Sequence, residues 1–205
     1  EKEEKEIAIS FDCAWGVDYT DKLLKIMEEE GVKCTFFAVQ FWVEKYPEYV
    51  KKIDSKGHEI GTHSATHPYM SKLDKQTIIK ELTTSREAIE KITNKKVNVF
   101  RPPYGDYNNL LIDCCEELKL YPIQWDVDSL DWKNLSALDI KKRVLSRVTN
   151  GSIVLFHNNG LHTSEAIRDI IISLKSEGYT FKTIYDLIYK DNYQIDNEGK
   201  QKSYV

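Results

Sequence analysis

The stretch EIAISFDCAWGVDYTDKLLKIMEEEGVKCTFFAV, residues 6–39, contains the repeating unit that decides the fold. It begins and ends with a short apolar run, which is typical of a buried strand. Between the two runs, Leu23, Ile26 and Met27 form the apolar stripe of an amphipathic helix. Gly31 follows this helix, where a left-handed C-cap is expected. The order of strand, helix and strand predicts neighbouring parallel strands joined by a helix.

The same alternation continues along the chain without an internal repeat or a low-complexity linker. Strand-like runs lie near residues 6–12, 33–39, 58–62, 97–101, 121–127, 152–156 and 179–182. About seven parallel strands predict an α/β fold, namely a distorted and incomplete (β/α) barrel. In such barrels the reactive side chains gather at the C-terminal ends of the strands.

Length and composition indicate one domain with a substantial core, since the chain has 205 residues of which 41% are hydrophobic. We assign residues 1–190 to this domain and the polar residues 191–205 to a surface extension. The net charge of -4, without a Lys/Arg-dense block, argues against nucleic acid as a partner. No apolar segment approaches the roughly 20 residues that a membrane span requires. We expect a monomer.

Polar side chains follow five of the predicted strands at the point where each strand ends. They are Asp12, His63, Arg101, Asp128 and His157. Because the C-terminal ends of barrel strands meet at one end of the fold, we expect these side chains to lie close together. His67 follows His63 by four residues, and two imidazoles at this spacing can point the same way from one helical turn and bind one metal ion.

These residues belong to five motifs, and the series resembles the polysaccharide deacetylase family, the NodB-type enzymes of carbohydrate esterase family 4. The family motifs read roughly TFDD, H(S/T)xxH, RPP(Y/F)G, DxxDW and LxH. Their counterparts here, in the same order, are SFDC (10–13), HSATH (63–67), RPPYG (101–105), DSLDW (128–132) and LFH (155–157). One position departs from the pattern, since the second Asp of the first motif is Cys13. The stretch SFDCAWG is most similar to the sporulation and cell-wall branch.

The resemblance implies a NodB-type catalytic domain over residues 1–190. Its activity would be a metal-dependent hydrolase reaction that removes N-acetyl groups from N-acetylglucosamine or N-acetylmuramic residues of a cell-wall polysaccharide. Peptidoglycan is the first expectation, with chitin oligomers and acetylxylan as alternatives. The implied partner is a glycan. The implied location is extracellular or in the cell envelope, with an export signal or membrane anchor outside this sequence.

The resemblance also assigns catalytic roles, because acetamide hydrolysis needs a base, an acid and a polarised carbonyl. Asp12 is the implied general base, and Arg101 holds its carboxylate by a forked contact. His157 is the implied general acid, oriented by Asp131. Asp128 is a weaker candidate for the site.

The remaining implied site residues bind the substrate. The backbone N–H of Tyr104 would donate to the oxyanion, in a loop fixed by Pro102 and Pro103. Pro103 and Tyr104 would also border the substrate, and Trp132 would line the acetyl pocket.

The metal would be held by His63 and His67, and Cys13 has two alternative roles. Its thiolate could be a third ligand, which favours zinc over cobalt or manganese. Alternatively, Cys13 only fills space, and water or Asp12 completes the site. A rival function is a catalytically silent glycan-binding module, and another is a metal-independent hydrolase of a different amide. Retention of both an acid and a base favours the deacetylase.

Overall fold

The structure is a computed structural model that describes residues 2–204, and its centre is a parallel sheet surrounded by helices. The strands are β1 (Glu6–Cys13), β2 (Thr35–Ala38), β3 (Glu59–Thr62), β4 (Val99–Phe100), β5 (Tyr121–Pro122), β6 (Val127–Asp128), β7 (Ile153–His157), β8 (Thr180–Phe181), β9 (Tyr193–Ile195) and β10 (Gln201–Ser203). The helices are α1 (Thr20–Glu29), α2 (Gln40–Lys45), α3 (Pro47–Ser55), α4 (Lys75–Thr93), α5 (Asn109–Glu117), α6 (Ala137–Leu145), α7 (Thr163–Ser176) and α8 (Ile184–Leu187).

The sheet has the order β5-β4-β3-β2-β1-β7-β6, and all of its neighbouring strands are parallel. The short strand β8 pairs with the first residues of β1, before β2 begins to pair. The sheet curls into a half-barrel that is open between its two edge strands, β5 and β6. The predicted incomplete barrel is therefore confirmed.

The predicted strand at 121–127 differs from the structure, which divides it into β5 and β6 at opposite edges of the sheet. Pro122 ends β5 and has no N–H to donate to a ladder. Gln124 then lies outside the sheet. Its carbonyl oxygen accepts a hydrogen bond from Arg101, and its side-chain amide donates to the Gly105 carbonyl oxygen, both in the segment after β4. Residues 123–126 therefore cross the open side of the half-barrel instead of extending a strand.

Side chains of β1 alternate between two faces of the sheet, as strand geometry requires. Ile7, Ile9 and Phe11 belong to the large apolar core that also contains the buried stripe of α1. Ala8 belongs to a smaller apolar cluster on the other face, inside the half-barrel. Asp12 lies in phase with Ala8 and therefore points into the half-barrel, at the C-terminal end of the strand.

The remaining predicted features of the fold concern the turns and the C-terminus. Gly31 has φ +62° after α1, as the predicted left-handed cap requires. Residues 193–203, within the predicted extension, contain the antiparallel pair β9 and β10. Within residues 2–204, no helix is long and apolar enough to cross a membrane.

Candidate active site

The centre of the site is a buried ion pair between Asp12 and Arg101. Arg101 follows β4 and is completely buried, and its Nη1 lies 2.9 Å from Asp12 Oδ1. The same Nη1 also donates to Ser10 Oγ at 2.8 Å. Arg101 therefore binds the Asp12 carboxylate through one nitrogen and not by the predicted fork. Its other terminal nitrogen, Nη2, donates to the carbonyl oxygen of Gln124 at 3.2 Å.

The Arg101 guanidinium is also held between two aromatic rings. Its central carbon lies 4.3 Å from the centre of the Phe37 ring and 5.5 Å from that of the Trp125 ring. Cation–π contacts in a dry site compensate part of the cost of burying the charge. Arg101 is therefore a fixed positive charge beside Asp12.

The charge state of Asp12 follows from this environment. Burial alone would raise the pKa of its carboxyl group, but the positive charge of Arg101 acts in the opposite direction, as do His63 and His157 when they are protonated. Together with the hydrogen bond from Arg101, they lower the pKa of Asp12 below its ordinary value. Asp12 is therefore a carboxylate at neutral pH and can accept a proton.

His63 is oriented by the backbone of Arg101. Its Nδ1 lies 2.7 Å from the Arg101 carbonyl oxygen. Because a carbonyl oxygen only accepts, Nδ1 must carry the proton, and the lone pair is on Nε2. Nε2 lies 3.6 Å from Asp12 Oδ2, the oxygen that Arg101 does not bind. This orientation is the usual one for a metal-binding histidine.

His67 reaches the site through a tight loop and not through the predicted helical turn. Residues 63–67 are not helical, and Ser64 and His67 have left-handed φ values of 72° and 61°. The Ser64 hydroxyl accepts the His67 N–H at 3.0 Å. The two imidazole rings nevertheless come together, with their centres 4.8 Å apart.

Glu81 on α4 holds this loop, although it is not among the site residues predicted from the sequence. Its carboxylate accepts the N–H groups of Ala65 and Thr66, both at 2.8 Å, and the Thr66 hydroxyl at 2.7 Å. A signal was present in the sequence, because Glu81 interrupts the apolar stripe of its helix next to Leu82. A buried acid on such a stripe needs hydrogen-bond donors.

Both imidazoles are neutral near pH 7, as metal ligands must be. Burial is the main reason that the pKa of His63 is lowered, and it lowers that of His67 to about 4 with a contribution from His63.

His67 is bordered by the rings of Trp15 and Tyr104, whose centres lie 5.4 and 4.8 Å from its own. Tyr104 in turn stacks on Tyr69 at 4.2 Å.

Cys13 is not brought to the two histidines. It follows Asp12 directly in β1, so its side chain points to the opposite face, where it belongs to the large apolar core. Its Sγ faces the Phe11 carbonyl oxygen at 3.8 Å. Burial, followed by the negative charge of Asp12, raises the pKa of this thiol well above its ordinary value. Of the two roles left open by the sequence, this geometry favours packing.

The donor set therefore fits a divalent metal only in part. His63 and His67 offer two neutral imidazoles, whereas catalytic zinc normally has three protein ligands. No group of three or more His, Cys, Asp or Glu side chains within residues 2–204 is arranged to hold a metal ion. Two candidate ligands lie together, and within the described part of the chain no third one is arranged with them.

His157 at the end of β7 is held by Asp131, as the sequence analysis expected. Asp131 is completely buried, and its Oδ1 lies 2.8 Å from His157 Nδ1. Its Oδ2 accepts the backbone N–H of His157 at 2.8 Å and the hydroxyl of Thr163 at 2.6 Å. Since a carboxylate only accepts, Nδ1 carries a proton and Nε2 is left for the site.

This pair sets the charge state of His157. Burial would lower its pKa, but the hydrogen bond and the negative charge of Asp131, with smaller contributions from Asp12 and Asp128, raise it above the ordinary value. Asp12 and His157 are direct neighbours in the register of β1 and β7. A carboxylate and an imidazole that favours its protonated form therefore lie side by side.

The remaining expected site residues lie on exposed loops. Tyr104 adopts φ 62° and is 57% exposed, directly after the buried Pro103. Trp132 is 55% exposed in the turn that begins with Asp131. Asp128 contributes less directly, because its carboxylate accepts the Leu130 N–H and so shapes this turn.

Comparisons with known proteins show the family of this chain. The sequence model of the family described as polysaccharide deacetylase matches residues 1–123. The chain belongs to the polysaccharide deacetylase family. It is 36% identical over 200 residues to the peptidoglycan-N-acetylglucosamine deacetylase PgdA of Listeria monocytogenes, covering 98% of this chain and 41% of PgdA.

Other members of the polysaccharide deacetylase family are similarly close. The peptidoglycan-N-acetylmuramic acid deacetylase PdaA of Bacillus subtilis is 32% identical over 94% of this chain and 74% of its own length. The crystal structure of BA3943 from Bacillus anthracis, a pseudoenzyme of carbohydrate esterase family 4, has a TM-score of 0.88 at 33% identity. That match covers 90% of this chain and 66% of BA3943, and a BA3943 mutant has restored enzymatic activity. The family therefore includes both active and inactive proteins of this fold.

Proposed function

We propose that this protein is a hydrolase that removes N-acetyl groups from a cell-wall glycan. The observation that carries the proposal is the pairing of Asp12 and His157 on neighbouring strands. Arg101 keeps the first ionised, and Asp131 favours the protonated form of the second. Two titratable groups whose pKa values are moved apart in this way are suited to act as base and acid.

Each side chain has a definite part in the reaction. Asp12 Oδ2, the oxygen that Arg101 leaves free, accepts a proton from the attacking water, whose oxygen bonds to the acetyl carbon. The backbone N–H of Tyr104 donates to the oxyanion that forms. His157 Nε2–H then protonates the nitrogen as the C–N bond breaks, which yields acetate and a free amine. A divalent cation, when bound at His63 and His67, would polarise the acetyl carbonyl.

The proposed substrate is peptidoglycan, at its N-acetylglucosamine or N-acetylmuramic residues. PgdA and PdaA, whose names state these two activities, support this choice. Chitin oligomers and acetylxylan are the alternative substrates. We also propose that the protein is a monomer, that its partner is a glycan, and that it is located outside the cell or in the cell envelope.

Acetate release tests the proposal directly. The purified protein is incubated with N-acetylglucosamine oligomers or peptidoglycan, without added metal and with zinc, cobalt or manganese. Release is expected with metal and should be lost in His157→Ala. The matched control is His162→Ala, since His162 is a surface histidine paired with Glu165 outside the site. Equal release by both variants would contradict the role of His157.

A second candidate function is a catalytically silent glycan-binding module. It is favoured by the absence, within residues 2–204, of a third protein ligand arranged with His63 and His67, and by the similarity to the pseudoenzyme BA3943. Because the side chain at position 13 points into the apolar core, the two functions are separated on the unmodified protein. Peptidoglycan binding without acetate release in the presence of any of the added metals would establish the silent module in place of the enzyme.

A further inference from the structure

A second cavity lies on the open side of the half-barrel, away from the acid and the base. It has a volume of about 940 Å³, and its walls come from β5, residues 123–126, the loop before β7 and the C-terminal segment with β9 and β10. Asp12, His63, His67 and His157 are not among its lining residues. Ligand sites in proteins commonly have volumes of about 300–1,000 Å³ and often lie at the mouths of barrels.

Six aromatic rings line this cavity. They are Tyr107, Tyr121, Trp125, Tyr179, Tyr189 and Tyr193. All six are at least partly accessible, and none is buried. The ammonium group of Lys2 lies over the Tyr189 ring at 4.2 Å, and that of Lys5 lies over the Tyr179 ring at 5.4 Å. The other four rings can stack against a flat apolar surface, while their polar edges contact water or hydroxyl groups.

The polar groups of the cavity favour a neutral ligand. Its charged lining residues are Lys2 and Lys200 against Asp126 and Glu198, so positive and negative charges balance. Lys200 pairs with Glu198 at 2.9 Å, and Asp126 accepts hydrogen bonds from residues next to it in the fold. The amide of Asn150 adds a group that can both donate and accept.

We propose that this cavity binds a short neutral oligosaccharide, as a second glycan site distinct from the catalytic one. A sugar ring presents an apolar C–H face and a rim of hydroxyl groups, which matches partly accessible aromatic rings interspersed with amides. Binding here does not depend on deacetylation, so the inference stands apart from the proposed function.

The cavity also touches the catalytic site through two residues. Trp125 lines the cavity and packs on the Arg101 guanidinium, whose charge holds Asp12. Gln124 lines the cavity and donates to the Gly105 carbonyl oxygen at 2.7 Å, next to Tyr104. Trp125 is therefore a natural reporter of occupancy.

The test uses the whole protein labelled with 5-fluorotryptophan and titrated with the trimer of N-acetylglucosamine. Four fluorine signals are assigned by single Trp→Phe substitutions, and the buried Trp42 serves as an internal reference. We expect the Trp125 signal to titrate with its own dissociation constant. Tyr193→Ala should weaken this constant about two- to tenfold, because it removes one ring that can stack against the sugar. The signals of Trp15 and Trp132 should titrate as before.

Two further variants decide the result. Tyr204→Ala is the matched control, because Tyr204 is an exposed tyrosine just after β10 that does not line the cavity. Tyr107→Ala, at an exposed lining position outside β9, should weaken the Trp125 titration even if Tyr193→Ala does not fold. The proposal is overturned if the Trp125 signal does not move, or if it titrates with the Trp132 constant and neither lining variant changes it.

Discussion

Replacing Cys13 by Ser separates packing from metal ligation. Cys13 is completely buried in the large apolar core, with the Phe11 carbonyl oxygen 3.8 Å from its Sγ. A serine hydroxyl needs an acceptor within about 3.0 Å, so the new hydroxyl would be buried without a partner. We expect the free energy of unfolding to fall by about 1–3 kcal/mol. In a domain of this size, each kcal/mol lowers Tm by about 2–4 °C.

Zinc affinity should remain within about twofold of its starting value, because the thiol faces away from His63 and His67 and a twofold change is only about 0.4 kcal/mol. Cys115→Ser is the matched control, since Cys115 is an equally buried thiol of the same core on α5. Denaturant unfolding and zinc titration are measured on both variants. The packing interpretation fails if Cys13→Ser loses tenfold or more in zinc affinity, a loss of about 1.4 kcal/mol, while Cys115→Ser loses none.

Three further outcomes are expected. His63→Ala should abolish zinc retention, because it removes the imidazole whose Nε2 is preset by the Arg101 carbonyl; calorimetric titration that still shows stoichiometric zinc would contradict this. Asp12→Asn should keep the metal but reduce turnover by roughly 10²-fold or more, since the amide cannot accept a proton; near-normal acetate release would make Asp12 structural. Asp131→Asn should lower the pKa of His157, so the high-pH limb of kcat/KM moves to lower pH; an unchanged imidazole titration by NMR would refute the pairing.

The positions of the main site residues could be predicted from the sequence because two periodic rules suffice. Alternating strands and helices predict a parallel barrel, and parallel strands bring their C-terminal ends together. An apolar run precedes each of Asp12, Arg101 and His157. Their proximity could therefore be predicted without knowing the conformation of any loop. The division of residues 121–127 into β5 and β6 was not predicted, because the connection between the two strands is short and its residues look like the middle of a single strand.

The face of the sheet on which Cys13 lies could also be predicted from the sequence. Neighbouring residues of a strand point to opposite faces, so a thiol next to Asp12 belongs to the other side unless the strand is distorted. A motif comparison alone assigns both positions to one site, which is why the alternative of ligation remained open.

Tertiary structure alone decided how each reactive group is held. The left-handed residues Ser64 and His67 bring the two imidazoles together without a helical turn. Glu81 from α4 holds the same loop through Ala65 and Thr66. The Arg101 carbonyl fixes the proton of His63. These contacts join segments far apart in the chain, and their hydrogen-bond geometry depends on distances that no local pattern encodes. The sequence therefore determined which residues meet, and the packed fold determined their orientation and charge.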